Sequence, residues 1–255
     1  MHENINEQLQ NISTNSKVIY DFHQHFKKCV YEYCPSMLRS ILVEDYLPPN
    51  TKPEYNFENV YSNITTTELI STTLHEFDIS IEPIENELLF NTATRLQNTV
   101  KTKIKEYENK LMIDLLEGVI LNNPENEIIL TGQEPSINNA YQAFLQHMEI
   151  DSKKRHPDNY FILDQIIANI SYINSGIHYD KKIWSILSSN EFRTYNYIIP
   201  KNHIYFIDFP EHIGVISYQC PFTIKYIDPS FLNISCFYVM GYKILVPNIF
   251  RVTFK

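Results

Sequence analysis

From Glu87 onward, apolar residues recur at Leu89, Ala93, Leu96, Val100, Ile104, Tyr107, Leu111 and Leu115, in steps of 4, 3, 4, 4, 3, 4 and 4. That is the repeat of one face of an α-helix, and neither Pro nor Gly interrupts it before Gly118. A helix of roughly thirty residues is a rod about 45 Å long, far beyond the usual helix of about 11–12 residues, so the fold must be built around it. Asn86 is placed to cap its start, and Glu87 to meet the positive end of its dipole. A coiled coil would need paired charges flanking the apolar seam, and Arg95, Lys101, Lys103 and Lys105 do not supply that pattern. The spacing predicts one helix lying across a sheet.

The flanking sequence supplies that sheet. Residues 1–54 read as an N-terminal arm, helical from Lys17 to Leu42 and then broken by the three prolines of "YLPPNTKPEYN". Residues 55–85 read as an extended hairpin, because Leu74, Phe77, Ile79 and Ile81 of "TTLHEFDISIEP" alternate as in a strand. After the helix, "IILTG" reads as a short strand. A second helix starts at Ser136, with Ala140, Phe144, Leu145 and Met148 at helical spacing. "YFILDQIIANISYI" reads as a strand running into a helix. Strands are then expected over 195–199, 203–208, 213–218, 222–227, 234–239 and 241–254. Helices and strands segregate along the chain, so the fold class is α+β.

Composition removes several kinds of function. The formal net charge of −9 argues against a protein that lives on nucleic-acid phosphates. A local basic strip at Lys101, Lys103 and Lys105 reads as a solvated helix face. The 5 glycines are scattered, and phosphate-cradling loops need them clustered. No dinucleotide fingerprint, P-loop or nucleophile elbow can be written here. The N-terminal stretch is polar and acidic, unlike a signal peptide, and the most apolar span, Ile234 to Val246, is short and contains Lys243. The four cysteines form no disulfide-rich pattern, which points to a reducing compartment.

Two clusters could carry chemistry. His23, His25, Cys29 and Cys34 are four zinc-competent ligands in one short stretch. On a helix His23 and His25 would point about 200° apart, so the set works only on irregular backbone; the plainer reading is arm residues without special chemistry. Asp208, Glu211 and His212 surround Pro210 and offer two carboxylates and an imidazole. Asp and Pro are also turn-formers, and "IDFPEHIG" sits between two apolar strands, which favours a corner in a sheet. Trp184, the only tryptophan, reads as packing. On these grounds no catalytic, cofactor-binding or metal residue is assigned, no cofactor is expected, and the chain is not read as an enzyme.

The order of elements and the local wording resemble one family, the major capsid proteins of tailed bacteriophages with the Hong Kong 97-type shell fold, to which encapsulins are related. "IENELLFNTATRLQNTVKTKIKEYENKLMIDLLEG" is similar to the family's spine helix, and "TTLHEFDISIEP" sits where its E-loop hairpin does. "IIPKNHIYFIDFPEHIGVI" resembles its strand–turn–strand through Pro200, Lys201, Asp208, Pro210, Glu211 and Gly214. "MGYKILVPNIFRVTF" resembles its closing strands. The chain departs from the pattern in being poor in glycine, in carrying Asn202 where a turn glycine is common, and in placing Pro247 before Asn248.

The resemblance implies an arm over 1–54, an E-loop-like hairpin over 55–85, and the spine helix with the start of a peripheral domain over 86–135. It further implies an axial-type domain over 136–195, and strands closing both domains over 196–255. It implies a homo-oligomer of pentamers and hexamers, an icosahedral shell enclosing double-stranded DNA without sequence-specific binding. The location would be the virion, with assembly in the host cytoplasm. Scaffold, portal and decoration proteins are the partners it implies, and no membrane. An encapsulin-like compartment and a metal-dependent enzyme using the His/Cys cluster are the alternatives. Deleting residues 60–82 is expected to leave a folded protein that no longer forms particles.

Overall fold

The computed structural model describes residues 17–18, 20–22, 36–47, 54–59, 64–150, 160–163, 202–208 and 213–255. Its helices are α1 (Met37–Ile41), α2 (Leu89–Asn122) and α3 (Ile137–Ile150). Its strands are β1 (Val43–Tyr46), β2 (Glu54–Asn59), β3 (Ile64–Leu69), β4 (Thr73–Ser80) and β5 (Glu127–Leu130), then β6 (Tyr160–Leu163), β7 (His203–Asp208), β8 (Gly214–Ile227), β9 (Asn233–Ile244) and β10 (Ile249–Phe254).

Helix α2 has 34 residues, a rod about 51 Å long. Its start differs from expectation. Asn86 lies at φ 61, in a left-handed turn outside the helix, and the N-cap is Leu88, which makes no side-chain cap bond. Glu87 instead accepts from Thr92 Oγ1 at 2.9 Å and from Arg95 Nη2 at 2.7 Å, fixing the first turn from outside. Gly118 does not end the helix. The end comes before Pro124, where the Asn123 N–H and its side-chain amide both return to the Val119 carbonyl.

The buried face begins as predicted, at Ala93, Leu96, Val100 and Ile104. It then continues through Glu108, Met112, Leu116 and Ile120, leaving Tyr107, Leu111 and Leu115 half-buried. Repeated steps of four advance about 40° around the axis each time, so the stripe winds around the rod. The winding has a use, since α2 touches β4 and β9 of one sheet and β10 of another.

The first sheet has the order β1-β8-β9-β4, with β1 parallel to β8 and the other pairs antiparallel. The second has the order β5-β10-β7-β6, with β5 parallel to β10. Two strands expected over 213–218 and 222–227 are one continuous strand, β8, bent by register shifts after Tyr218, Cys220 and Ile224. The expected break at residue 240 is absent. Strand β9 runs through Gly241 to Ile244, and the chain turns instead at Leu245–Asn248, where Pro247 lacks a donor. The strand expected over 195–199 lies outside the described residues, as do the helix expected after Leu163 and Trp184.

Two boundaries move. The arm expected over 1–54 does not stay apart from the body along its whole length: Met37 and Leu38 are fully buried, and β1 is an edge strand of the first sheet. The hairpin expected over 55–85 is shorter. Strands β2 and β3 form a separate two-stranded sheet, from Glu54↔Leu69 to Asn59↔Ile64, whereas β4 pairs along its whole length with β9. Alternation identified β4 as a strand but could not name its partner.

Helix α3 packs on the second sheet through Ala140 and Phe144, whose ring stacks on Phe206 at 4.3 Å. Between β8 and β9, Phe231 holds φ 57 with its side chain fully buried and its ring 5.4 Å from Phe22. Residues 17–18 and 20–22 are helical, as expected, and Phe22 belongs to the core.

Candidate assembly surfaces

Because side chains alternate across a pleat, the β2–β3 hairpin has two unlike faces. Tyr55, Phe57, Asn59, Ile64, Thr66 and Glu68 share one face, where Phe57 is 5 % exposed while Ile64 and Thr66, toward the tip, are open. Glu54, Asn56, Glu58, Thr65, Thr67 and Leu69 share the other, and all six are exposed. Thr67 Oγ1 donates to Asn56 Oδ1 across this open face at 2.8 Å. The hairpin is fixed to the first sheet where Lys243 Nζ of β9 meets Glu68 Oε2 at 2.7 Å.

A buried polar joint ties the N-terminal segment to the middle of α2. Glu108 accepts from Arg39 Nε at 2.9 Å and Nη2 at 2.8 Å, and from Ser36 Oγ at 2.5 Å. The Met37 N–H donates to Asn109 Oδ1 at 2.7 Å. The Arg39 guanidinium also lies over the Tyr218 and Phe222 rings, 5.8 and 5.6 Å from their centroids. This joint covers α2 where the apolar repeat gives way to Glu108 and Asn109.

A second joint connects the end of α2 to the second sheet. Glu117 accepts from the Tyr205 hydroxyl and from Arg251 Nη1, while Arg251 Nη2 donates to Glu127 Oε1 at 2.7 Å. Thr253 Oγ1 donates to the same Glu127 oxygen at 2.9 Å, and His203 Nδ1 lies 3.7 Å from Glu117 Oε1. Burial pushes the Glu117 carboxyl up, but the Tyr205 and Arg251 bonds prevail and hold it below the ordinary range. Glu127 is lowered in the same way, its burial outweighed by Arg251 and Thr253. Burial, then the Arg251 charge, hold the His203 imidazole below its usual value.

Most of the residues that the sequence offers for chemistry fall outside the described part of the structure. His23, His25, Cys29 and Cys34 lie outside the described residues, as do Glu211 and His212. Asp208 closes β7, opposite Tyr160 of β6. Lys103 is exposed and pairs with Glu106 at 3.3 Å, which fits a solvated helix face; Lys101 and Lys105 are half-buried. His75 is a packing residue, between Tyr107 Oη at 2.7 Å and Thr73 Oγ1 at 2.8 Å, with its ring on Tyr238. The Cys236 thiol is pushed up to about 12 by burial and then by Asp78, so it stays protonated. Among the described residues no group of three or more His, Cys, Asp and Glu could hold a metal ion, and no helix is long and apolar enough to cross a membrane.

What the surface offers instead is contact area. Leu121 is 82 % exposed, Leu88 71 % and Phe90 67 %, with Ile64, Leu69 and Leu74 also open. Alternation and helical spacing say nothing about such residues, because an apolar side chain turned outward looks like core in the sequence.

The architecture matches known structures. A solved structure from Mycobacterium phage Bobi aligns with a TM-score of 0.50 over 86 % of this chain and 90 % of that one, at 10 % identity. The virus-like particle from Pyrococcus furiosus aligns at 0.42, over 90 % and 96 % of the two chains, with 14 % identity. The holo-SrpI encapsulin complex from Synechococcus elongatus aligns at 0.40, over 86 % and 90 %, with 13 % identity. The fold is the α+β Hong Kong 97-like fold, with its long spine helix, its mixed sheets and a separate hairpin. No family model matches the chain, and no curated protein matches it in sequence.

Proposed function

We propose that this chain is a major capsid protein that assembles with copies of itself into an icosahedral shell around double-stranded DNA. The observation that carries the reading is the β2–β3 hairpin, a two-stranded sheet of its own with six open positions on one face, attached to a body braced by one long helix. A short hairpin by itself is marginal in water, and burial against a neighbour gives it a reason to exist. Each contact between copies need contribute only modestly, because a subunit in a closed shell is held by several at once. The net charge of −9 suits a container that must fill and empty, since tight phosphate contacts would resist both. Pentamers and hexamers, a portal, a scaffold and decoration proteins, and assembly in a host cytoplasm belong to the same proposal.

Size-exclusion chromatography with electron microscopy tests it. The purified chain is expected to give hollow particles or rings, and particles from infected cells to protect DNA from nuclease. Particles that enclose protein and no DNA would favour an encapsulin-like compartment. A monomer at all concentrations, carrying stoichiometric zinc, would overturn the reading in favour of an enzyme.

A further inference from the structure

The hairpin leaves the first sheet through a short root, and four contacts hold that root. Ile70, directly after β3, is 1 % exposed. The Ser71 carbonyl crosses Gly241 of β9 so closely that a Cβ there would lie 2.4 Å from its oxygen. Thr72 Oγ1 donates to Gln219 Oε1 of β8 at 2.9 Å, and Lys243 Nζ of β9 donates to Glu68 Oε2 at 2.7 Å. Glu68 lies on the Phe57 face of the hairpin, so that face is turned to the chain's own body. Burial first, and then the Asp45 charge on β1, raise the pKa of the Tyr55 hydroxyl on the same face.

We infer that Gly241 and the Glu68–Lys243 pair are positioning residues that lock the hairpin's angle, so that it presents the fully open face of Glu54, Asn56, Glu58, Thr65, Thr67 and Leu69 to a second copy of the chain. The lock stands on geometry alone; the second copy rests on the self-assembly reading. Leverage makes the angle matter. A six-residue strand is about 20 Å long, so a rotation of about 10° at the root moves the tip by about 3.5 Å. That is more than a hydrogen bond or a packed side chain tolerates. Only glycine allows the Ser71 carbonyl to come so near β9, and the ion pair removes the remaining rotation. A half-exposed pair contributes little to global stability, so reversing one charge should loosen the root without unfolding the protein.

The test compares wild type with E68K, K243E and the swap E68K/K243E, by amide hydrogen exchange in the unassembled chain and by microscopy of assembled particles. Each single variant is expected to exchange faster across Glu68–Thr73, with β8 and β9 unchanged, and to lose at least half of its regular particles. The swap is expected to restore both. G241A, which forces the root to move by a different route, should reproduce the single variants. Exchange across the root that is the same in the single variants as in wild type, or that the swap fails to restore, overturns the lock. Faster exchange with unaltered particles overturns its role in presenting the hairpin. A wild-type chain that never assembles sinks the self-assembly reading, while the exchange result still decides the lock.

Discussion

A carboxylate that is 1 % exposed must be matched group by group, and Glu108 is matched by both forks of Arg39 and by Ser36. Removing one side of a buried pair leaves the other charge stranded, at about 3–5 kcal/mol. Arg39→Ala and Glu108→Ala should therefore each lower the urea midpoint by that equivalent, while the apolar double replacement R39M/E108L recovers most of the loss. A double variant no better than the singles would show that the cost is packing alone. Gly118 offers the opposite experiment. It sits inside α2, and beyond its own helical turn no atom lies within 4 Å of where a Cβ would stand. Gly118→Ala should add about 0.5–1 kcal/mol of stability, read as a higher melting temperature of the unassembled chain. The sequence could not disclose Glu108, because its partner Ser36 lies 72 positions away and nothing local marks either as buried. Tyr107, Leu111 and Leu115 looked equally apt for the core.

At the scale of elements, the joint between α2 and the second sheet makes stability depend on pH. Glu117 and Glu127 both have lowered values, so their contribution is present above the ordinary carboxylate range and is lost as pH falls through the folded values. His203 is also lowered, so the folded state resists its protonation; that contribution is complete above about 6.5 and disappears as pH falls below it. Both signs agree. The melting temperature should fall on acidification from about pH 7 to about pH 2, and Glu117→Gln should flatten the part of that fall below about pH 4.5. Parallel curves for the two proteins would remove Glu117 from the account. Elements of this kind were partly legible. Periodicity located α2, α3, β4 and β7, because a repeat is a local property of the chain. Strand ends at Gly241 and Pro221 were misjudged: a glycine inside a strand can mark a close crossing as well as a turn, and β8 absorbs its proline in an irregular stretch.

For the whole molecule, the revised hairpin changes which deletion is informative. Removing residues 60–82 would strip β4 from the first sheet and with it the buried Ile79, so loss of particles would mean little. Replacing residues 55–68 with a short Gly/Ser linker keeps Ile70 and β4 in place. That variant should fold cooperatively, with a small drop in melting temperature, and should sediment only as small species. Regular particles from it would contradict the role given to the hairpin. The fold as a whole could be read from the order of elements and the family-like wording, whereas the pairing of β4 could not, because strand partners are chosen by packing between distant segments.

Phe231 carries a consequence that reaches across the chain. A bulky residue at positive φ is held there only by its surroundings, and the ring it rests against belongs to Phe22 near the other end of the sequence. The turn and the N-terminal helix are therefore reciprocally coupled: whatever draws Phe22 away lets the backbone at 231 relax, and whatever relaxes that backbone weakens the hold on Phe22.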